Sequence, residues 1–515
     1  MAVAPEGRVS ASEGQLGVSP AQVNLVLMGV ALGTFLAALD ITIMGTAMPT
    51  IVGLLGGIHI YSWAFTAYFL ASVVTTPIFG KLADMYGIRR LFLVSIGIFV
   101  AASALCGLSQ NMPQLIVFRA LQGVGGGSLM ALSLTVLGAL FPRERLGRTM
   151  GVLNSVWGVA AIMGPLIGGV LVTKISWRWI FYLNLPTGVV SAVCVLYGLG
   201  SAGKGRQRRR PDYFGGATLL GGVVSLLLVV GHGEPKPFGT PEALLLAASV
   251  VLLGLFVWNE SRAEEPILPL ALFRIKNFTV ASILGFLSGA GFFTALVFVP
   301  LFYQGVVGST AIGAGAVLLP MSLAWCLTSA FGVSLLIGRW GERRLLALGF
   351  GFLFLSYLID AQLGTRTPYW VIAGAMSILG LGMGFVYTVV ITLVQTSVPK
   401  AHLGVVTSST FLFRQLGGSI MVGIMGGIMG RGLTARLAVL SADPAHRAVS
   451  EAIANPRDLM RPEVMGRFSA DSVAALKGVL AGSLSPVFWI GLGVVGIGLL
   501  VSVWYVATRG ETSRP

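Results

Sequence analysis

Long apolar stretches alternate with short polar ones along almost the whole chain. Fourteen stretches read as helices, at about 22–48, 61–82, 91–109, 113–140, 147–172, 178–200, 213–232, 241–259, 277–303, 311–337, 344–361, 368–396, 402–430 and 484–507. A helix needs roughly 20 apolar residues to cross the hydrocarbon core of a bilayer, and most of these qualify. Glycine, proline and charge punctuate the gaps. The expectation is an all-α polytopic membrane protein with polar tails at 1–20 and 508–515. The first apolar run is too long for the core of a cleavable signal peptide. One connection, 431–482, is long and of mixed charge, with short helix-like stretches near 444–454 and 470–482. It reads as a small cap or a solvated connector.

Composition agrees with the pattern. Of 515 residues 55% are hydrophobic and only 10% charged, against about 25% charged in soluble proteins. Glycine is abundant, 70 residues, which suits close helix packing in a bilayer. The net charge of +15 does not indicate nucleic acid, because the basic residues sit in short loops. Loops on the side of the termini hold Lys81, Arg89, Arg90, Arg143, Arg145, Arg148, Lys204, Arg206, Arg208, Arg209, Arg210, Arg262, Arg274, Lys276, Arg339, Arg343, Arg344 and Lys400. The opposite short loops hold Lys174, Arg178, Lys236 and Arg366. The positive-inside rule then places both termini in the cytoplasm.

The chain repeats itself. At an offset of 257, Gly123, Gly125 and Gly127 fall on Gly380, Gly382 and Gly384, and Pro142 and Gly147 fall on Pro399 and Gly404. Upstream, "GKLADMYGIRR" (80–90) faces a shorter "GRWGERR" (338–344). Residues 21–200 and 277–507 are therefore two six-helix halves of the same orientation. Residues 201–276 form a basic linker with two inserted helices. Parallel halves around a central cavity are a transporter architecture, worked by rocking one half against the other.

With these motifs in view, the chain resembles the major facilitator superfamily, specifically its fourteen-span drug–proton antiporter branch. The segments that carry the resemblance are "GKLADMYGIRR", "RALQGVGGG" (119–127), "GVAAIMGPLIGG" (158–169), "LDITIMGTAMP" (39–49) and "SWRWIFYLNLP" (176–186). The resemblance implies the superfamily fold with two extra central helices and a multidrug efflux transporter in the cytoplasmic (inner) membrane. Its partners would be protons, small lipophilic substrates and membrane lipid, with no cofactor beyond the proton gradient and the chain working as a monomer. One position departs from the branch: Gly45 stands where it usually has Asn, five residues after Asp40.

Asp40 is the one carboxylate that falls deep in a predicted span. A charge at a helix centre costs about 2.5–3.5 kcal/mol on insertion scales, and a proton removes that cost. It is a candidate proton carrier or counter-ion for a cation, or else a structural carboxylate bonded by Thr42 or Thr46. Arg119 stays charged at any working pH. It can pair with Asp40 or snorkel to the nearby surface past Pro113. The resemblance links Arg119 to proton coupling.

Candidates for the substrate cavity are Asp40, Gln122, Asn154, Trp157, Arg414 and Gln415. Trp63, Tyr68, Phe292, Tyr303 and Trp325 add aromatic surface for flat compounds. In the 80–90 loop, Gly80 and Gly87 suit a tight turn, and Asp84 can bond Arg89 or Arg90 or a helix N-terminus. The resemblance implies a cytoplasmic latch onto the region of His402 to Gly404. Gly158, Gly164, Pro165, Gly168 and Gly169 suit close packing and a bend, and the resemblance implies a seal on one side of the cavity.

His59, His232, His402 and His446 fall in loops or at span ends without metal spacing. Cys106, Cys194 and Cys326 read as packing. "GVGGGS" (123–128) has no preceding strand and so is not a nucleotide loop. The function expected is proton-coupled export of lipophilic neutral or monocationic compounds, not an enzyme activity. A native lipid, a siderophore or an antibiotic metabolite fits the same features as cargo. A membrane receptor or scaffold is the reading from another class.

Overall fold

Backbone amides in hydrocarbon must be bonded within their own segment, so helix is the solution an apolar chain adopts there. The computed structural model describes residues 19–140, 143–199, 212–231, 239–264, 266–268, 270–397, 403–442 and 469–508. Side chains are described throughout except at 20, 84, 134, 138–139, 143–155, 230–231, 403–408 and 442. The helices are α1 (Pro20–Leu55), α2 (Trp63–Tyr86), α3 (Ile88–Leu108), α4 (Met112–Leu140), α5 (Arg143–Lys174), α6 (Trp179–Tyr182) and α7 (Asn184–Gly198). There follow α8 (Tyr213–Gly231), α9 (Thr240–Glu260), α10 (Lys276–Phe302), α11 (Ala311–Leu327), α12 (Val333–Asp360), α13 (Tyr369–Thr396), α14 (Leu403–Ala442) and α15 (Ala470–Ala507).

Among the described residues, twelve helices are long and apolar enough to cross a membrane. One of them runs without a gap through α11 and α12, Ala311–Asp360, 50 residues. It is broken only at Gly341, where φ is 74°. The apolar helix Tyr213–Val229 is shorter than the others.

The two halves pack by one scheme. In the first, α4 lies against α2 and α3, and α1 against α5 and α7. In the second, α13 lies against α11 and α12, and α10 against α14 and α15. The repeated glycines explain this. A Cβ at Gly123 would stand 2.3 Å from the Tyr68 carbonyl oxygen, and one at Gly380 would stand 2.1 Å from that of Met321. Gly125 meets the Phe99 amide and Gly382 the Gly349 carbonyl, each within 2.7 Å. Backbone therefore touches backbone at equivalent places in both halves. The inserted pair α8 and α9 pack on each other, and α8 also lies against α2 and α14, one helix from each half.

Several boundaries depart from expectation. The 80–90 segment is mostly helix, because α2 continues to Tyr86 and one residue, Gly87 (φ 92°), makes the whole turn into α3. Gly80 lies inside α2 with open space where a Cβ would be, so it is not a turn residue. The presumed cap also shrinks. α14 runs on to Ala442 and α15 begins at Ala470, so residues 470–482 are the first turns of the last helix. Ser469 caps it by accepting from the Ser472 amide at 3.3 Å. Buried Leu433, Leu476 and Leu480 give these extensions an apolar seam, which hydropathy over a long polar connection hides. The stretch near 444–454 lies outside the described residues.

Contacts between the halves concentrate at the face opposite the chain termini. Gln304 donates to the Thr46 carbonyl at 2.9 Å, and Thr50 donates to Gln304 at 3.2 Å. The Tyr61 hydroxyl donates to the Val297 carbonyl at 2.9 Å. Deeper, Ser322 donates to the Ala161 carbonyl at 2.8 Å.

Overpacking a close-packed interface costs about 1–3 kcal/mol. Gly123→Ala and Gly380→Ala should each lower the thermal unfolding midpoint of the purified protein by several degrees. Gly374→Ala, on α13 with open space at its Cβ position, should leave the midpoint unchanged or slightly higher, since alanine favours helix by about 1 kcal/mol over glycine.

Candidate functional site

Five helices meet around one charge pair. Asp40, mid-way along α1, is 3% exposed, and Arg119, in the second turn of α4, is 1% exposed. Nη1 of Arg119 donates directly to Oδ2 of Asp40. The same Nη1 donates to Gln122 Oε1 at 2.7 Å, and Gln122 Nε2 donates to the other carboxylate oxygen at 2.8 Å. Arg119 and Gln122 stand three apart on α4 and so share a face. Arg119 Nε donates to the Ala64 carbonyl of α2 at 3.3 Å. Its guanidinium lies over the Tyr68 ring, 4.3 Å from the centroid.

A further shell holds Gln122. Its Nε2 donates to Ser103 of α3 at 2.7 Å, and Asn184 of α7 donates to the same hydroxyl at 3.0 Å. Arg119 therefore does not snorkel. The hydrogen bond to Asp40 that an Asn at position 45 would offer comes from Gln122 instead. Gly45 serves packing, its Cβ position 2.9 Å from the Leu296 carbonyl oxygen. Neither Thr42 nor Thr46 bonds Asp40; both hydroxyls donate to backbone carbonyls. The sequence reading missed Ser103 and Asn184, and it took Tyr68 as surface for flat compounds rather than as the ring under Arg119. The only signal of Ser103 and Asn184 is polarity inside apolar helices.

Two narrow gaps lie on the seam between the halves, each with about 10 Å³ of free volume, the space of roughly one water. The first is lined by Ile41, Thr42, Trp157, Pro165, Phe292, Met321 and Trp325, among others. The second is lined by Ile41, Tyr68, Met130, Trp157, Phe411 and Gln415, among others. Of the expected cavity residues, Trp157 lines both gaps and Gln415 one. Asp40, Gln122 and Arg414 line neither; Arg119 and Ser103 draw the first two into the first bundle. The side chain of Asn154 lies outside the described residues. Arg414 is 5% exposed, with its guanidinium 4.5 Å from the Tyr387 ring centroid and 5.3 Å from that of Phe411. Its Nε is buried with no hydrogen-bond partner.

The glycines of α5 let it wedge between α1 and α11. A Cβ at Gly164 would stand 2.0 Å from Thr42 Oγ1, and one at Gly168 would stand 2.6 Å from Thr46 Oγ1. Gly169 faces Ile312 Cα at 2.8 Å, Gly158 faces Cys326 Sγ at 2.8 Å, and the Pro165 carbonyl reaches within 2.3 Å of the Cβ position of Gly315. In the 80–90 segment Arg90 is exposed and Arg89 half-buried. The side chain of Asp84 lies outside the described residues, as does His402.

Asp40 is the carboxylate placed deep in a span, but two others are buried at helix ends. Asp360, the last residue of α12, is 0% exposed and neither of its carboxylate oxygens has a hydrogen-bond partner. Glu260, the last of α9, is buried and accepts from the amides of Ile267 and Leu268 at 3.3 and 2.8 Å. Both sit at helix ends, where sequence places charge at a membrane surface.

Residues 30–422 match the family model of the Major Facilitator Superfamily. The chain is 37% identical over 505 residues to the multidrug transporter protein MdtP of Bacillus subtilis, covering 93% of this chain and 92% of that one. It is 32% identical to multidrug resistance protein 3 of the same organism, covering 81% of each. The efflux pump FUS6 of Gibberella moniliformis is 32% identical, over 76% of this chain and 71% of the pump. Among solved structures, a bacterial homologue of the human lysosomal transporter Spinster, inward-facing and unoccupied, superposes with a TM-score of 0.63 at 15% identity. That match covers 96% of this chain and all of the homologue. It speaks for the fold alone.

Removing one partner of a buried ion pair costs about 3–5 kcal/mol, because the other charge is left bare. Asp40→Asn and Arg119→Met should each lower the unfolding midpoint. The double variant should lose clearly less than the two losses added, a non-additivity that a double-mutant cycle reads directly.

Proposed function

We propose that this chain, which belongs to the major facilitator superfamily, is a proton-driven exporter of lipophilic neutral or monocationic small molecules that works as a monomer by alternating access. The observation that carries the reading is the Asp40–Arg119 pair: a titratable carboxylate with a permanent cation, both buried in a bilayer-spanning bundle. The efflux relatives support the direction of transport. With Asp40 ionised, Arg119 holds it through a charge-assisted bond. With a proton on Asp40, that attraction is lost, and α1 is freed from α4. A cation entering the seam would meet Asp40 only after this separation, whereas a neutral compound needs only the apolar gaps to widen.

Fourteen crossings belong to the same proposal. A helix rises about 1.5 Å per residue, so the 50 residues of Ala311–Asp360 are far too long for one passage of a core about 30 Å thick. The positive φ at Gly341 supplies a turn between two passages, as Gly87 does between α2 and α3. Counting these two, and the short apolar α8, brings the total to fourteen. Both termini then face the cytoplasm, where the Lys and Arg of the short loops gather, and the protein lies in the cytoplasmic membrane. The half-to-half bonds of Gln304, Thr50 and Tyr61 would then close the outer side. The 80–90 segment would act as the latch of the opposite state.

Reconstituted protein should accumulate a lipophilic cationic dye, such as ethidium, against its gradient when a pH difference is imposed. Asp40→Asn should reduce this uphill movement at least tenfold while retaining dye exchange at equal pH. Wild-type liposomes that move no dye under the gradient would sink the exporter reading. Normal uphill transport by Asp40→Asn would remove the proton from Asp40.

A further inference from the structure

We infer that Arg414 is the recognition residue for an anionic group, a carboxylate or a sulfonate on an aromatic or otherwise lipophilic cargo. This extends the substrate class of the proposed exporter beyond neutral compounds and cations, and rests on that reading.

The two arginines buried at the heart of the two bundles have opposite circumstances. Arg119 spends its donors on Asp40, Gln122 and the Ala64 carbonyl. Arg414 has no ion pair and no hydrogen bond to any described residue, and its Nε is shut away from solvent. A guanidinium carries five donors in a planar fork matched to a carboxylate. Stacking on Tyr387 and Phe411 supports the flat faces of the cation and leaves the in-plane donors bare. A desolvated cation with unused donors is costly unless a counter-charge arrives. The one described carboxylate that forms an ion pair in the membrane core, Asp40, is already held by Arg119. Asp360, the bare carboxylate on α12, does not reach Arg414.

Arg414 lines neither gap itself, but it stands between residues that do. At the repeat offset of 257, Arg414 corresponds to Trp157, which lines both seam gaps. Its neighbours Phe411 and Gln415 line the second gap. From its other side an aromatic row leads into the first gap. Tyr387 stands edge-on to Trp325 at 5.7 Å, and Trp325 edge-on to Phe292 at 5.0 Å. Trp325 and Phe292 both line that gap. When the gaps widen, a flat apolar body has the aromatic row to lie on and its anionic group has the fork of Arg414. The Gln415 amide, which lines the second gap, is a further donor there. Since the backbone of α10 at Gly289 packs directly on the Arg414 carbonyl, the helix segment that carries the arginine is rigidly held.

The test compares two ligands of one shape. Purified full-length protein is titrated with 2-naphthoate and with its primary amide, 2-naphthamide, and binding is followed by tryptophan fluorescence. Wild type should bind the acid anion at least tenfold more tightly than the amide. Arg414→Gln should abolish that preference while binding the amide as wild type does. Arg414→Lys, which keeps the charge and loses the fork, should retain part of it. An equal affinity of wild type for both ligands would overturn the inference, and so would a matching loss of both ligands in Arg414→Gln and Arg414→Lys, which marks a packing role. None of these outcomes touches the dye transport that tests the exporter itself. Wild type that drives the dye yet shows no preference for naphthoate overturns this inference alone.

Discussion

Hydrocarbon does not tolerate a bare charge, and the arrangement of this chain follows from where it obeys that constraint and where it does not. In the first bundle the constraint is met in full. Asp40 and Arg119 neutralise each other, Gln122 spans both, the Ala64 carbonyl accepts from Arg119, and the Ser103 hydroxyl accepts from Gln122 and Asn184. The result is a polar knot that draws α1, α2, α3, α4 and α7 to one point. In the second bundle the constraint is left unmet twice, at Arg414 and at Asp360. Architecture repeats between the halves, but charge chemistry does not: position 376, the counterpart of Arg119, is methionine.

The knot could not form without close helix approach. Gly123, Gly125 and Gly127 bring the backbone of α4 onto α2 and α3. That places Arg119, one turn earlier on the same helix, within reach of the Ala64 carbonyl and of the Tyr68 face. The same three positions in α13 make the same contacts with α11 and α12, with Met376 in place of the arginine. The glycines are thus a packing device common to both halves, and the first half has added a charge to it. On the seam the glycines of α5 have a different effect. They admit α1 on one side and α11 on the other, so small residues there set how tightly the halves close.

Much of this was legible in sequence. The apolar periods placed every long helix, and the offset of 257 anticipated the equivalent glycine contacts. Asp40 and Arg119 could be singled out because charge is rare in such segments. What escaped had a common cause: sequence shows polarity but not depth or direction. Asp360 and Glu260 lie at helix ends and look exposed, while packing buries them. Ser103 and Asn184 look like ordinary polar residues of membrane helices until α3 and α7 deliver them to Gln122. Asp40 and Gln122 look like cavity residues because they are polar, yet they turn inward to their own bundle. The run of α14 past 430, and the continuity of the helix-like 470–482 with the last span, escaped because their apolar positions are spaced along helices whose other faces are polar.

The placement of Asp40 bears on how a proton could be coupled to cargo. If both competed for one carboxylate, Asp40 would need to face the seam, and it does not. Its neighbours on α1 do. Ile41 lines both gaps, and Thr42 lines the first while donating to the Ala160 carbonyl of α5 at 3.1 Å. Successive residues on a helix point about 100° apart, so three consecutive side chains address the charge pair, the seam and the neighbouring helix. A rigid helix cannot move one of these without the others. Loss of the ion pair on protonation would therefore be felt in the gaps as a displacement of Ile41 and a strain on the α1–α5 contact at Gly164. Coupling of this kind requires no shared charge. It would leave the proton on Asp40 in one bundle and let the cargo be chosen by the seam, beside which the charge left unanswered is the positive one of Arg414.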